Sequence, residues 1–324
     1  MSVRQNTTSL PPKVSVIIPA YNIAQFLPAA LHSVQRQTMG DFEALIIDDG
    51  STDDISAGVT PFLADSRFRL ITKPNGGVSS ARNLGLAQAR ASIVSMLDGD
   101  DLYRNTYLER MLARLTAEPA VDFVTCDAVS FGLAANNGER FSDRYPQGEP
   151  ITLERYLRRE VAVISSSMVR KAALENIGSY DEALREAEDL DLWLRLLSSG
   201  AVGGLIADIL VEYRRRPHSL SQSTARLMHS TAATYAKVIA ASNDAGVTAL
   251  AHARRNIAQS HGDFEAGVDL ALFGQDNASI QQGIKLMRQS RFKSGNAKWS
   301  AAFIAFSCLP VLARPALARY RRGN

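Results

Sequence analysis

The amino-acid sequence predicts an α/β fold with a mostly parallel central sheet and helices on both of its faces. Short apolar runs rich in β-branched residues alternate, along the first half of the chain, with segments whose apolar residues recur at helical spacing. Strands that alternate with helices form βαβ units, and these place parallel strands side by side. The 324 residues are enough for such a domain and a second, smaller unit.

The predicted elements follow one another at short intervals. Strands are expected at 14–18, 44–47, 67–72, 92–97 and 121–126, and helices at 25–37, 53–64, 79–90 and 105–117. Ser79 or Ser80 is the expected cap of the third helix. The segment 131–150 is rich in turn residues and is predicted to be a mobile loop, and a further strand is expected at 205–211.

The domain organisation follows from these patterns. We predict a disordered tail at 1–12, the α/β domain at 13–224 and a helical region at 225–324. The net charge of +3 argues against a nucleic-acid-binding surface. The two cysteines, Cys126 and Cys308, are too far apart for a metal-type spacing and indicate reduced thiols in a cytoplasmic protein. Neither a signal-peptide core nor an apolar run of about 18 residues is present.

Polar or turn residues follow each of the first four predicted strands. They occupy 19–22, 48–51, 73–77 and 98–101. Because the carboxyl ends of parallel strands meet at one edge of a sheet, we expect these four segments to converge there. Ligands of open α/β sheets bind in the crevice beyond those ends.

The most informative of these segments is Asp98-Gly99-Asp100-Asp101. Three carboxylates within four positions repel one another unless a cation lies among them. Mg²⁺ and Mn²⁺ prefer oxygen ligands and often share their coordination shell with substrate phosphates. The sequence therefore indicates a divalent-metal site facing a diphosphate, and an acidic turn that caps the next helix remains an alternative.

Two further segments have both a binding and a structural interpretation. The acidic run 48–54 offers carboxylates to a base or a ribose, and it also fits an Asp-Gly turn followed by a helix cap. The glycine-containing segment 76–83 opens a helix, whose N-terminus favours anions. Arg82 adds a cation there, although a solvated arginine beside a simple loop would give the same pattern.

Glu188, Asp189 and His218 are the candidate functional residues of the second half. The two carboxylates open a predicted helix, where they can point into a cleft or simply complement the helix dipole. His218 follows three arginines after the strand at 205–211. These basic residues could face a diphosphate, or they could form an exposed basic loop.

Taken in order, six segments resemble glycosyltransferase family 2, the inverting family with a GT-A fold that contains the bacterial polysaccharide glycosyltransferases. The matching segments are 14–22, 47–53, 75–83, 97–101, 177–182 and 188–195. The resemblance covers roughly residues 12–223, and six short motifs in the same order are far more specific than any one of them.

The resemblance implies an enzyme that transfers a sugar from a nucleotide-diphosphate sugar to a hydroxyl of a glycan or lipid-linked acceptor. A UDP-sugar is the default donor, and cell-surface polysaccharide synthesis is the expected setting. Asp189 would be the general base, with Glu188 beside it. The nucleotide-sugar would contact Pro19, Ala20, Tyr21, Asn22, Asp49, Gly76, Arg82 and Asp98. Mg²⁺ or Mn²⁺ would be bound chiefly by Asp100, with Asp98 and His218 as further ligands. Ala187 stands where the family often has glycine.

Other classes fit the sequence less well. A Rossmann dehydrogenase is disfavoured because Pro-Ala-Tyr-Asn, and not a Gly-x-Gly-x-x-Gly loop, follows the first strand. A sugar nucleotidyltransferase would need a glycine-rich basic loop at that position. The intact set of Asp98, Asp100 and Asp189 argues against a non-catalytic sugar-nucleotide-binding protein.

The C-terminal segment 298–322 combines an apolar run with flanking basic residues. The run is short and broken by proline, so it does not suit a transmembrane helix. Such a segment can lie in the interface of an anionic bilayer, which predicts peripheral contact with the inner face of the cell membrane. A terminal helix packed on the protein's own core is the alternative.

Overall fold

The computed structural model of the protein describes residues 11–133, 137–216, 224–274 and 276–294. The chain divides into two compact units, and the division falls after Pro217. The first unit is α/β and the second is helical. The tail at 1–10 and the segment 298–322 lie outside the described residues.

A single mixed sheet organises the first unit. Within the described residues it contains eight strands: β1 (Val14–Ala20), β2 (Phe42–Asp48), β3 (Phe68–Thr72), β4 (Ile93–Met96), β5 (Leu102–Tyr103), β6 (Phe123–Phe131), β7 (Met168–Arg170) and β8 (Gly203–Arg214). Their order is β3-β2-β1-β4-β7-β6-β8-β5. The first four are parallel neighbours, whereas β7 is antiparallel to both β4 and β6, and β5 is antiparallel to β8. The predicted α/β class with a mostly parallel sheet is confirmed.

Helices cover both faces of this sheet. They are α1 (Leu27–Gln35), α2 (Ile55–Val59), α3 (Val78–Gln88), α4 (Tyr107–Ala117), α5 (Phe141–Arg144), α6 (Leu153–Arg158), α7 (Lys171–Asn176) and α8 (Glu188–Ser198). Successive side chains of a strand point to opposite faces. Accordingly, Val16 and Ile18 of β1 belong to the same apolar core as α1, and Ile17 belongs to the core on the opposite face, with α3 and α8. This double burial explains why every residue of β1 is buried and all but Ser15 are apolar.

Two predicted helices differ in detail from the structure. The helix expected at 53–64 is α2 followed by a 3₁₀ turn at Thr60–Ala64, because Pro61 has no N–H to continue the α-helical ladder. The prediction that Ser79 or Ser80 caps α3 is wrong. Gly77 is the N-cap residue of α3. The backbone N–H groups of Gly76 and Gly77 donate to the carboxylate of Asp49, which follows β2.

The predicted loop at 131–150 is more structured than expected. β6 continues to Phe131, and the helix α5 follows within the described part of the segment. The buried carboxylate of Asp127 anchors α5, because both the backbone N–H and the hydroxyl of Ser142 donate to it. This contact joins residues 15 positions apart, so the local turn composition gave no sign of it.

The second unit is helical, as the sequence pattern indicates. Its described residues form α9 (Thr224–Ala241), α10 (Ala245–Phe273) and α11 (Asn277–Ser294). Val268, Ala271, Ile284 and Met287 form a small core between α10 and α11. Among the described helices, none is long and apolar enough to cross a membrane.

Candidate active site

The ends of β1, β2, β3 and β4 form one continuous rim, as predicted from the polar segments that follow them. The loops after β1 and β2 are bonded to each other. Asn22 Oδ1 accepts the backbone N–H of Thr52 at 2.8 Å, and the N–H of Asn22 donates to Ser51 Oγ at 3.2 Å. Each loop therefore supports its neighbour at the edge of the sheet.

The residues at the end of β1 differ in their exposure. Pro19 and Ala20 are buried within the strand, whereas Tyr21 and Asn22 are exposed. The Tyr21 side chain is 48% exposed, which is unusual for a large aromatic group at the edge of a buried sheet. An exposed aromatic ring at this rim suits stacking against a planar base.

Asp49 shapes the loop that precedes α3. Its buried carboxylate accepts hydrogen bonds from Lys73 Nζ at 2.6 Å, from Gly76 N at 2.9 Å and from Gly77 N at 2.7 Å. Gly77 has φ +90°, a conformation that favours glycine, and a Cβ on Gly76 would lie 2.7 Å from Lys73 Nζ. Asp49 was predicted to line the nucleotide pocket, and the structure places it beneath the Gly76–Gly77 turn.

Arg82 is the central cation of the rim. The sequence left open a solvated arginine, but the Arg82 side chain is only 4% exposed. Its guanidinium donates to Asp98 Oδ1 at 2.7 Å and to Glu188 Oε1 at 2.8 Å, and it lies over the Tyr180 ring at 5.2 Å. Arg82 and Glu188 are 106 positions apart, so this one side chain connects the acidic loop to the start of α8.

The acidic loop after β4 concentrates negative charge. Burial raises the pKa of Asp100, and the charge of Asp98 raises it further. Burial and the charges of Asp98 and Asp100 hold the pKa of Asp101 well above its usual range. Asp101 is buried and accepts the backbone N–H of Arg214 at 2.8 Å, so β8 helps to fix this loop.

The carboxylates of this loop fit a hard divalent cation. Asp98 and Asp100 supply the oxygen donors that Mg²⁺ and Mn²⁺ prefer, and burial together with the nearby charge of Asp98 raises the pKa of Asp100. Across the described residues, no three or more His, Cys, Asp or Glu side chains are gathered as a metal site. A cation here would therefore complete its shell with substrate or water oxygens. His218, the third predicted ligand, lies outside the described residues.

Glu188 and Asp189 occupy the first turn of α8, as predicted. Burial raises the pKa of Asp189 to about 6, the charge of Glu188 adds to this, and Arg82 opposes it. A carboxylate whose pKa lies close to neutral is suited to accept a proton. Asp191 is fully buried and paired with Arg195 Nε at 2.7 Å, which makes it a structural carboxylate.

Ala187, immediately before this helix, has φ +60°. The left-handed conformation costs a non-glycine residue about 1–2 kcal/mol. The positive φ explains why glycine suits this position. Alanine adopts the same conformation here at that energetic cost. The backbone that carries Asp189 is therefore held in a defined, strained conformation by its surroundings.

Sequence reasoning did not distinguish the three consecutive arginines at the end of β8, which have different partners. Arg214 donates from Nε to the carbonyl oxygen of Asp100 at 2.8 Å. Arg215 stacks over the Tyr213 ring at 4.8 Å. Arg216 forms an ion pair with the Asp100 carboxylate. The sequence shows the basic run but not the partners of its three side chains. Those partners follow from the structure, in which successive side chains point to alternate sides of the extended backbone.

Comparison with solved structures assigns the fold to the GT-A class of glycosyltransferases. The structure of S. aureus TarS residues 1–349 in complex with UDP-GlcNAc aligns with a TM-score of 0.61 at 17% identity, over 96% of this chain and 92% of that one. The mannosyltransferase PcManGT from Pyrobaculum calidifontis, in complex with GDP-Man and Mn²⁺, aligns with a TM-score of 0.59 at 16% identity, over 93% and 88%.

Residues 15–178 match the model of the family described as glycosyl transferase family 2, and the chain belongs to that family. It is 31% identical over 225 residues to the uncharacterized glycosyltransferase EpsJ of Bacillus subtilis, covering 65% of this chain and 63% of EpsJ. It is 27% identical over 233 residues to the putative teichuronic acid biosynthesis glycosyltransferase TuaG of Bacillus subtilis, covering 71% and 90%. An uncharacterized glycosyltransferase of Rickettsia felis is 31% identical over 198 residues, but the chain covers only 31% of its length.

Proposed function

We propose that the protein is a glycosyltransferase that moves a sugar, with inversion, from a nucleotide-diphosphate sugar to a hydroxyl of a glycan or lipid-linked acceptor. One observation carries the proposal: Arg82 binds Asp98 and Glu188 together, which brings the acidic loop and the start of α8 to the same rim. The family membership supports this activity. The similarity to TuaG, a putative teichuronic acid biosynthesis glycosyltransferase, supports polysaccharide synthesis, and the UDP-GlcNAc bound to TarS supports a UDP-sugar as donor.

In the proposed reaction, Asp189 removes the proton of the acceptor hydroxyl while that oxygen attacks the anomeric carbon. The bond from this carbon to the diphosphate breaks on the opposite face, which inverts its configuration. Tyr21 would stack on the base, and Asp49 would maintain the Gly76–Gly77 turn at the N-terminus of α3. Asp98 and Asp100 would hold a divalent cation, which when bound neutralises charge on the leaving diphosphate.

Two alternatives are a sugar nucleotidyltransferase and a non-catalytic sugar-nucleotide-binding protein. Incubation of the protein with UDP-sugars and Mn²⁺ distinguishes these two alternatives from a glycosyltransferase. Slow release of UDP, which increases with an acceptor, is expected for the proposed activity. Formation of a sugar nucleotide from UTP and a sugar 1-phosphate would indicate a nucleotidyltransferase, and donor binding without turnover would indicate a binding protein.

The change Asp100→Ala is expected to lower turnover by roughly 10²-fold, because it removes the main proposed metal ligand and the diphosphate loses its charge stabilisation. Donor affinity should fall as well, which calorimetry with UDP and Mn²⁺ would measure. Asp208→Ala is the matched control, since Asp208 forms an exposed ion pair with Arg110. Full activity of the unaltered protein in excess chelator would refute the metal dependence.

Peripheral membrane contact through the segment 298–322 remains part of the proposal. Each basic residue near an anionic surface contributes about 1 kcal/mol, so replacing Arg314, Arg319, Arg321 and Arg322 with glutamine should strongly reduce co-sedimentation with anionic vesicles. Neutral vesicles provide the control. Equal sedimentation of the variant and the unaltered chain would contradict this role and favour a terminal helix packed on the protein.

A further inference from the structure

The end of β8 is fastened to the acidic loop by Arg214. The backbone N–H of Arg214 donates to Asp101 Oδ1, and its Nε donates to the carbonyl oxygen of Asp100, both at 2.8 Å. The guanidinium lies between two aromatic rings, 5.0 Å from the centre of Phe26 and 4.3 Å from that of Phe131. The backbone at this strand end is therefore fixed relative to the acidic loop.

Arg216 follows two positions later and forms an ion pair with the same loop. Its Nε lies 2.5 Å from Asp100 Oδ2, and its guanidinium carbon lies 5.4 Å from the centre of the Phe26 ring. Arg215, between the two, stacks over Tyr213 instead. Side chains of extended backbone alternate between two sides, which explains why Arg214 and Arg216 share a side and Arg215 does not.

The two arginines that neutralise the acidic loop are held very differently. Arg82 makes aligned hydrogen bonds to two carboxylates, and its side chain is 4% exposed. Arg216 pairs with the Asp100 carboxylate, and its side chain is 27% exposed. Aligned, buried arginine–carboxylate pairs are strong, and partly exposed ion pairs contribute little. Arg82 is thus a fixed element, whereas Arg216 can leave at small cost.

We propose that Arg216 is an exchangeable counter-ion of Asp100, which neutralises this carboxylate until a divalent cation takes its place. The inference rests on the proposed function only in assuming that Asp100 is a metal ligand. A cation bound at about 2.1 Å to the Asp100 carboxylate would lie close to the Arg216 guanidinium, whose Nε is 2.5 Å from Oδ2, and the repulsion between the two positive charges favours departure of the arginine. The metal would then be bound by Asp100 and by Oδ2 of Asp98, while Oδ1 of Asp98 remains hydrogen-bonded to Arg82.

This exchange links the binding of metal to the binding of donor. A divalent cation alone must displace Arg216 and leave the guanidinium without its carboxylate. A nucleoside diphosphate that arrives with the cation offers phosphate oxygens, for which guanidinium groups are well suited. Metal and nucleoside diphosphate should therefore strengthen each other's binding through Arg216, and this coupling is reciprocal.

Titration of the full chain with Mn²⁺ alone, followed by the electron paramagnetic resonance signal of free Mn²⁺, tests the exchange. Arg216→Gln removes the competing cation and should bind Mn²⁺ roughly fivefold more tightly than the unaltered protein. Arg215→Gln removes the same charge one position away without touching the Asp100 ion pair. It should change the affinity by less than about twofold, the effect of general electrostatics at this range.

A further pair of measurements identifies Asp100 as the group for which metal and arginine compete. In an Asp100→Asn background, Arg216→Gln should no longer strengthen Mn²⁺ binding, because the shared carboxylate is absent. Saturating UDP should raise the Mn²⁺ affinity of the unaltered protein more than that of Arg216→Gln. Circular dichroism melting curves confirm that each variant is folded.

The proposal is overturned if Arg216→Gln binds Mn²⁺ no more tightly than Arg215→Gln, or if neither binds it. These results are independent of the proposed function, because sugar-nucleotide turnover by the unaltered protein is measured separately. If the protein turns over sugar nucleotides but Mn²⁺ and Arg216 do not compete for Asp100, the exchange is wrong and the glycosyltransferase activity stands. If they compete but no turnover is found, the exchange stands and the proposed activity is wrong.

Discussion

Replacing Asp189 with asparagine is expected to lower the rate of sugar transfer by roughly 10²–10⁴-fold, the usual contribution of a positioned general base. The side chain keeps its shape and loses its ability to accept a proton from the acceptor hydroxyl. Asp98 and Asp100 are proposed to hold the metal, so they cannot replace it as the base. Binding of UDP-sugar and Mn²⁺, measured by calorimetry, should remain within a few-fold of the unaltered protein.

The pH dependence gives an independent check on this base. Burial raises the pKa of Asp189 to about 6, so the carboxylate form is present above that pH and is lost below it. The value of kcat/KM should therefore fall about tenfold per pH unit below 6, with half of the maximal value near pH 6. Burying this charge also costs stability as the pH rises through 6, so Asp189→Asn should melt no lower than the unaltered protein at pH 8.

Glu188→Gln is the matched control for the base. Glu188 is the adjacent carboxylate, and one of its oxygens is bound to Arg82. We expect this variant to retain a measurable pH-dependent rate, whereas Asp189→Asn retains almost none. Near-normal turnover in Asp189→Asn together with an inactive Glu188→Gln would show that Glu188 is the base.

Replacing Arg82 with methionine is expected to have the largest effect on stability. The change removes a buried cation and leaves the carboxylates of Asp98 and Glu188 without their shared partner. Breaking such a buried pair by removing one side costs about 3–5 kcal/mol. Chemical denaturation followed by tryptophan fluorescence would measure the loss, since Trp193 lies in the same helix as Glu188.

Two companion variants separate charge from geometry. Arg110→Met breaks an exposed ion pair with Asp208 and should cost less than about 1 kcal/mol. Arg82→Lys keeps the charge, but a single ammonium group does not reproduce the planar fork that reaches both carboxylates. It should recover much of the stability while transfer remains impaired. A free energy of unfolding for Arg82→Met within 1 kcal/mol of the unaltered protein would contradict the central role of Arg82.

The Arg82 cluster also explains why the acidic loop and the base are positioned together. A displacement of α8 would change the contact of Glu188 with Arg82, and thereby the contact of Arg82 with Asp98. Catalytic groups that must act on opposite sides of one bond benefit from such a rigid connection, because small misplacements reduce rates strongly. The effects of Arg82→Lys and Glu188→Gln on transfer should therefore not be additive.

The sequence by itself determined the α/β class, the succession of strands and helices along the first half of the chain, and the rim on which the site lies. β1 could be recognised because both of its faces are buried, which favours a nearly continuous apolar run, here interrupted only by Ser15. The start of α8 could be recognised because its carboxylates precede the buried Leu192, Trp193 and Leu196 at helical spacing. These features depend on periodicity within a few residues, and the sequence displays that periodicity directly.

Only the tertiary structure decided which charges meet. Arg214, Arg215 and Arg216 give one basic run in the sequence, yet each has a different partner. Likewise, Arg82 is buried because two carboxylates from distant parts of the chain close over it, and the local pattern suited a solvated side chain equally well. The partner of a long charged side chain depends on how separate loops converge, and ion pairing across such loops leaves no periodic trace in the sequence.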